Sequence, residues 1–137
     1  GSIFTDTAVL RRTVGVDAAR LCALKASEDE MAAVTAAAAA YPRTGTLEVF
    51  QAADIAFWTA IVIGSGNIAY RLALNTLMRS IEDVGAELVM GLNAEVLTDR
   101  GGHVELAAAI VDRDADTAAR LAYTQLSELV DLFQSEA

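Results

Sequence analysis

The stretch that decides the fold is residues 51–70, which read QAADIAFWTAIVIGSGNIAY. Asp54 is the only charged residue in it, and a helix of this composition has no side that favours water. We therefore predict a central helix over residues 47–63, ended by Gly64-Ser65-Gly66. The large apolar residues of this helix are Leu47, Phe50, Ile55, Phe57, Trp58, Ile61 and Val62.

Asp54 is the residue that directs the search for a site. A carboxylate buried without a partner costs several kcal/mol, so Asp54 is paired, is neutralised by a proton, or binds a ligand. Arg11, Arg12 and Arg71 are candidate partners elsewhere in the chain. Each of these outcomes places the chemistry of interest at the middle of the central helix.

The composition is that of one globular domain. The chain has 137 residues, of which 54% are apolar and 21% are charged. Its net charge of -9 disfavours binding to phosphate backbones and to anionic lipid. We therefore expect no contact with a membrane, and contact with DNA only through a segment absent from this chain.

Three further features concern where the protein works and how far the domain extends. Cys22 is the only cysteine, so no internal disulfide can form, which favours a reducing cytoplasm. The longest uncharged run, 55–70, is interrupted by its glycines, so we predict no transmembrane helix. Gly1-Ser2 resembles the remnant of a cleaved expression tag, and we assign residues 3–137 to a single domain.

The rest of the chain reads as further helices. Ser27 and Glu30 form a capping-box pattern at the start of the second helix, and Pro42 follows its end. Asn67 and Asp114 are placed to cap two later helices. The predicted fold is an all-α antiparallel bundle of about six helices. They cover residues 6–25, 27–41, 47–63, 68–90, 102–112 and 114–135, with an irregular stretch at 91–102.

Three residues besides Asp54 bring polar or amphipathic groups to inward faces. Trp58 follows Asp54 by four positions and shares its helix face. His103 precedes apolar residues at i+3, i+4 and i+7, and Gln125 lies beside the apolar stripe of the last helix. The four residues could meet in one internal pocket. Each also has a structural explanation, as a hydrogen-bonded buried group or as core filling.

Short motifs in a fixed order along the chain resemble those of one family. They are Leu10-Arg11-Arg12-Thr13-Val14, Ala18-Ala19-Arg20-Leu21, Asp54-x-x-Phe57-Trp58, Ser65-Gly66-Asn67 and His103-x-x-Leu106-x-x-Ala109-Ile110-x-x-x-Asp114. With this order and spacing, nearly the whole chain resembles the C-terminal effector-binding (FCD) domain of FadR-subfamily GntR transcription regulators. The resemblance implies a homodimer whose DNA contacts belong to an N-terminal winged-helix domain outside this chain.

The resemblance also implies a ligand set, from which this sequence departs. Many members of the family bind a divalent metal through one Asp and three His residues, and the metal holds a small carboxylate effector. Asp54 and His103 match two of these ligands, whereas Trp58 and Gln125 stand at the other two positions. Two strong ligands are too few for a stable site, so we expect no tightly held metal and no cofactor. A further departure is Gly15, where the family often has Glu.

An aromatic residue in place of a metal ligand is similar to the fatty-acyl-CoA-responsive branch of the family, as is the run GSGNIAYRL at residues 64–72. The resemblance then implies an apolar pocket for a fatty acyl-CoA, a fatty acid or another organic acid. The predicted ligand-binding residues are Arg11, Asp54, Trp58, His103 and Gln125, with Arg11 as the counter-charge for an acidic group. We predict no catalytic residue.

The main hypothesis is therefore the effector-sensing and dimerising half of a transcription regulator. A structural dimerisation module with a vestigial pocket is the first alternative, motivated by the two missing metal ligands. An enzyme that uses Asp54 and His103 as an acid/base pair is the second, but no nucleophile with an orienting partner accompanies them. We place the expected dimer interface on the first and fourth helices, whose apolar residues are not all used by the core.

Overall fold

The computed structural model describes residues 2–84, 91 and 93–135, including the side chains of all these residues except 80–84. In these ranges the chain forms helices and no strand, so the predicted all-α bundle is confirmed. The seven helices that these residues form are α1 Ile3–Lys25, α2 Glu28–Ala39, α3 Leu47–Gly64, α4 Ile68–Val84, α5 Ala94–Leu97, α6 Arg100–Val111 and α7 Ala115–Ser135. The short α5 lies in the stretch predicted to be irregular.

The helix ends follow the capping residues of the sequence. The Ser27 hydroxyl accepts a hydrogen bond from the Glu30 backbone N–H at 3.1 Å, and the Glu30 carboxylate accepts one from the Ser27 N–H at 2.9 Å. Both arms of the predicted capping box are therefore present. Asn67 Oδ1 accepts from the Tyr70 N–H at 3.1 Å, and the Asp114 carboxylate caps α7 in the same way. These local contacts fix where α2, α4 and α7 begin.

Two predicted helix starts are corrected by capping residues that sequence reasoning had not used. The Ser2 hydroxyl caps α1, so that helix begins at Ile3. Asp99 caps α6, so that helix begins at Arg100, before the predicted start at residue 102. Residues 85–90 of the predicted fourth helix lie outside the described residues.

α3 is the central helix, but one of its sides reaches the surface. It packs against α1, α2, α4 and α5, and Ala52, Ala56 and Val49 remain exposed, Val49 by 49%. The prediction that this helix has no solvent face is wrong, because its neighbours cover only part of its circumference. The side chains that α3 buries are Phe50, Asp54, Phe57, Trp58, Ile61 and Val62.

The prediction that no stretch qualifies as a transmembrane helix is also wrong by length and composition. Leu47–Gly64 is long and apolar enough to cross a membrane, and it is the one such helix within the described ranges. The core helix of a bundle passes the same test. Its packing against four other helices is that of a core helix.

Small residues let α1 approach its neighbours closely. Ala18, Ala19 and Cys22 are fully buried where α1 packs in the main core. Gly15 lies where α1 meets α7, and a Cβ atom at this position would overlap the Leu126 side chain. The absence of a side chain at Gly15 therefore permits the close contact of α1 with α7.

Candidate functional site

Asp54 lies in the middle of α3 with its side chain only 8% exposed. Its Oδ1 is 2.8 Å from His103 Nε2 on α6. Its Oδ2 is 3.8 Å from Arg11 Nη2 on α1. Two of the predicted site residues therefore partner Asp54 directly, one on each carboxylate oxygen.

His103 is fully buried, and both of its ring nitrogens have partners. Its Nδ1 lies 2.8 Å from the backbone carbonyl oxygen of Asp99. A carbonyl only accepts, so Nδ1 carries a proton and donates it. The ring stacks on Tyr41 with 4.0 Å between centroids and meets Phe57 edge-on at 5.0 Å. These contacts hold the ring with its Nε2 facing Asp54.

The hydrogen bonds of His103 determine how many protons the pair holds. With Nδ1 protonated, a neutral imidazole has a bare lone pair at Nε2. That lone pair and a carboxylate oxygen 2.8 Å away would repel each other, so a proton lies between them. The pair formed by Asp54 and His103 therefore carries no net charge, whichever atom holds the proton. The guanidinium of Arg11 then gives the cluster of three residues a single positive charge.

A cleft opens on the Arg11 side of Asp54, between α1, α3, α4 and α7. It holds a cavity of about 40 Å³, which is room for roughly three water molecules or one carboxylate group. Its polar lining comes from Arg11, Gln51 and Asp54. The main apolar lining residues are Ile55, Trp58, Leu74, Leu77, Met78 and Leu126.

Arg11 has few partners for a buried cation. Its side chain is 17% exposed, and burial lowers the pKa of its guanidinium, an effect that the Asp54 carboxylate opposes. Arginine nevertheless stays charged. Among the described residues it makes one loose ion pair, with Asp54, and no hydrogen bond. A guanidinium with five N–H donors thus lines the cleft with a single weak partner.

The other two predicted residues lie at different places. Trp58 lines the cleft one turn after Asp54, and its ring meets Phe57 edge-on at 5.8 Å. Gln125 does not line the cleft: its Nε2 donates to the Gly102 carbonyl at 2.8 Å, which ties α7 to the start of α6. Its Oε1 is buried and has no hydrogen-bond partner in the described part of the chain.

Arg11, Asp54 and Trp58 therefore meet at the cleft, whereas His103 lies behind Asp54 and Gln125 lies apart. Sequence reasoning missed two parts of this site. Leu77 and Met78 of α4 line the cleft, and neither is among the predicted ligand-binding residues. Nothing near Tyr41 in the sequence indicates that its ring stacks on His103, because that contact joins two distant segments.

The residues around Asp54 do not fit a divalent metal. No three His, Cys, Asp or Glu side chains are grouped to hold one, as far as the described residues extend. Trp58 offers no ligand atom, and the Gln125 amide is bound to the Gly102 carbonyl. The Arg11 guanidinium, 3.8 Å from Asp54, would also repel a second cation at this carboxylate.

Comparison with protein-family models matches residues 6–128 to the FCD domain. The match covers most of the chain, and the chain belongs to the FCD domain family. FCD domains are effector-binding regulatory domains of GntR-type transcription regulators. A comparison with curated proteins found no match.

Proposed function

We propose that this FCD domain senses an organic acid whose carboxylate binds the Arg11 guanidinium in the cleft beside Asp54. The observation that carries the proposal is a mostly buried guanidinium that has one loose partner among the described residues. Burial of a cation without hydrogen bonds costs free energy, and a ligand carboxylate supplies two parallel, charge-assisted hydrogen bonds. The neutral pair of Asp54 and His103 leaves the charge of Arg11 available to an anion.

The apolar lining of the cleft supports a ligand with a hydrocarbon body, such as a fatty acid or its acyl-CoA. Most of the wall, such as Ile55, Leu77 and Leu126, carries no polar atom to bind the hydroxyl groups of a hydroxy acid or sugar acid. The polar groups of the lining are confined to Arg11, Gln51, Asp54 and the Trp58 indole N–H. The cavity of about 40 Å³ is smaller than a hydrocarbon body, so such a ligand must displace part of the lining. α4 packs mainly against α1 and α3, and we propose that it is the helix that moves.

This movement provides a signalling mechanism. The effector would favour one arrangement of α4 against α1, and so shift a population of two states. In our proposal the domain is part of a cytoplasmic FadR-type regulator, which contacts DNA through a winged-helix domain outside this chain. We also propose that the domain is not an enzyme: among the described residues, Asp54 and His103 pair with each other, with Arg11 and with the Asp99 carbonyl, and no nucleophile is hydrogen-bonded to either of them.

We propose a homodimer whose interface lies on α4 and α1. Ile68 and Leu72 on α4 are 72% and 63% exposed, and Leu10 and Leu24 on α1 are also exposed. Ile68 and Leu72 lie one helical turn apart, and neighbouring exposed apolar side chains of this kind support a protein interface. Native mass spectrometry of the purified domain would give the subunit number and the mass of any ligand that is carried through purification.

Thermal unfolding with a panel of fatty acids, acyl-CoAs and short organic acids tests the site itself. We expect at least one acid to raise the Tm of the wild type by several °C at saturation. Arg11→Gln should abolish the shift, because it removes the charge and the fork of donors. Arg79→Gln is the matched control, since Arg79 is exposed on α4 and lines neither described cavity.

Two outcomes would contradict the proposal. A Tm shift that survives Arg11→Gln would place the acid elsewhere in the domain. No shift with any acid would favour the structural dimerisation module with a vestigial pocket.

A further inference from the structure

A second cavity lies beside the first in the groove between α3 and α4. It measures about 90 Å³ and is lined by Thr59, Val62, Ile63, Arg71, Leu74 and Asn75. Val62 and Leu74 also line the cavity beside Arg11. These two side chains therefore form the wall between the two cavities.

The two cavities are successive parts of one groove. At the first cavity the α3 residues Asp54 and Ile55 face Leu77 and Met78 of α4. At the second, later residues of α3 face earlier residues of α4, as they must between antiparallel helices joined by a short turn. With a rise of 1.5 Å per residue, the groove from Asp54 to Ile63 is about 13 Å long.

An arginine stands in each part of the groove. Arg11 lines the first cavity, and Arg71 lines the second together with the Asn75 amide. Arg71 makes no ion pair or hydrogen bond with any other described residue. The wall between them is apolar. In a chain of net charge -9, two cations separated by an apolar passage are complementary to a ligand with an anion at each end.

We propose that the effector is an elongated acid with an anionic group at each end and an apolar middle, which spans both cavities past Val62 and Leu74. The proposal rests on the proposed function, because it takes Arg11 as the partner of the first carboxylate. Leu74 is half-buried on α4, so displacement of its side chain by the ligand couples binding to the position of that helix. Only a ligand long enough to pass Leu74 therefore displaces α4, the helix that we propose transmits the signal.

The length of the groove selects the probe. An extended chain gains about 3.5 Å for every three bonds, so a span of about 13 Å corresponds to about eleven bonds. Decanedioate has this length between its outer oxygen atoms. Decanoate has the same carbon chain and lacks only the second carboxylate, so it is the matched ligand for comparison.

Calorimetric titration at low ionic strength, where exposed charges are least screened, compares the two acids. We expect decanedioate to bind the wild type up to about fivefold tighter than decanoate, which is the upper end of the contribution of one exposed ion pair, because Arg71 is exposed. Arg71→Gln should bring decanedioate down to the affinity of decanoate, and Arg11→Gln should weaken both acids. The control Arg79→Gln should keep the preference for decanedioate.

The outcomes separate this inference from the proposed function. Equal affinities of the two acids in the wild type, or a preference that survives Arg71→Gln, would overturn the second subsite and leave Arg11 in place. If neither decanedioate nor decanoate binds while other acids raise the Tm through Arg11, only the proposal of an acid with two anionic ends is overturned. Failure of every acid would overturn both proposals.

Discussion

The two oxygens of the Asp54 carboxylate face two different regions of the molecule. On the closed side, Oδ1 shares a proton with the fully buried His103, whose ring is packed by Tyr41 and Phe57. On the open side, the one partner of Oδ2 in the described part of the chain is the Arg11 guanidinium, 3.8 Å away at the edge of a cleft. A buried network in which every group is hydrogen-bonded rigidifies a fold and has no group left to bind a ligand. A cation with too few partners still has donors free for a ligand. One carboxylate thus anchors the core on one side and orients a candidate binding group on the other.

The largest effect is expected from breaking the closed side. His103→Ala removes the proton donor of Asp54 and leaves a buried carboxylate, so we expect a loss of about 3–5 kcal/mol in the free energy of unfolding. Asp54→Asn is the matched control: the amide N–H₂ of Asn donates to a neutral imidazole, and the pair keeps its zero net charge. We expect this variant to lose about 1 kcal/mol or less. Urea denaturation measures both, and equal losses would contradict the shared proton.

Trp58→Ala tests whether the Trp58 side chain, which packs on the open side of Asp54, shapes the cleft. The indole is buried, and its truncation should cost about 3 kcal/mol, the low end of the range for such changes, because the side chain borders a cleft. The same variant enlarges the cavity, so bulkier acids should give a larger Tm shift in it than in the wild type. Thermal unfolding with and without acid measures both quantities. Unchanged ligand selectivity would show that Trp58 fills the core without shaping the site.

Tyr41→Phe separates stacking from hydrogen bonding on the closed side. The Tyr41 hydroxyl donates to the Leu97 carbonyl at 2.5 Å, while the ring stacks on His103. Burial, followed by the charges of Asp54 and Asp99, raises the pKa of this hydroxyl, so it stays a donor. Phe keeps the ring and removes the donor, and we expect a loss of about 1 kcal/mol in unfolding by urea. A shift of the His103 ring signals in NMR would contradict this separation.

The smallest effect on stability is expected from Glu128→Gln on α7. Titration of Glu128 also contributes to the pH dependence of stability, which pH experiments on the site must take into account. Burial, followed by the hydrogen-bonded side chain of Glu95, raises its pKa above 4.5. The folded state therefore binds the proton more tightly than the unfolded state, and this contribution to stability is complete below pH 4.5 and is lost as the pH rises through the raised pKa. Glu128→Gln should increase stability at neutral pH by less than about 1 kcal/mol, since the side chain is half-buried and solvent still screens its charge. Measurement of the Tm at about one-unit steps between pH 4 and pH 8 checks this prediction. The fall in Tm with rising pH should be smaller in the variant than in the wild type.

Local signals predicted the helices better than the site. The capping box of Ser27 and Glu30 and the cap at Asn67 depend on residues three positions apart, so the sequence alone locates them. The apolar residues on both sides of Asp54 in the sequence likewise indicated a buried carboxylate, because this signal is also local. Its partner required the packing of distant helices: Arg11 pairs with Asp54, whereas the adjacent Arg12 hydrogen-bonds Ser127 on α7.

The same limit explains the errors. Composition suggested that α3 is covered on all sides, but the number of neighbours around a helix depends on the tertiary arrangement, which leaves Ala52 and Ala56 exposed. Gln125 has a helical position that points partly inward, yet it hydrogen-bonds the Gly102 carbonyl because α6 begins beside it. The expected lack of a tightly held metal and the dimer interface stay predictions.

The most direct test of the two-sided account is a ¹⁵N NMR titration with decanoate that follows the Arg11 guanidinium and the His103 ring together. The account predicts that both His103 ring nitrogens hydrogen-bond in the free domain and change little on titration. It predicts that the Arg11 Nε–H signal moves and saturates as the acid binds. If decanoate binds and the Arg11 signal stays unchanged, or if binding instead shifts the His103 nitrogens, the open and closed sides of Asp54 have been assigned the wrong way round.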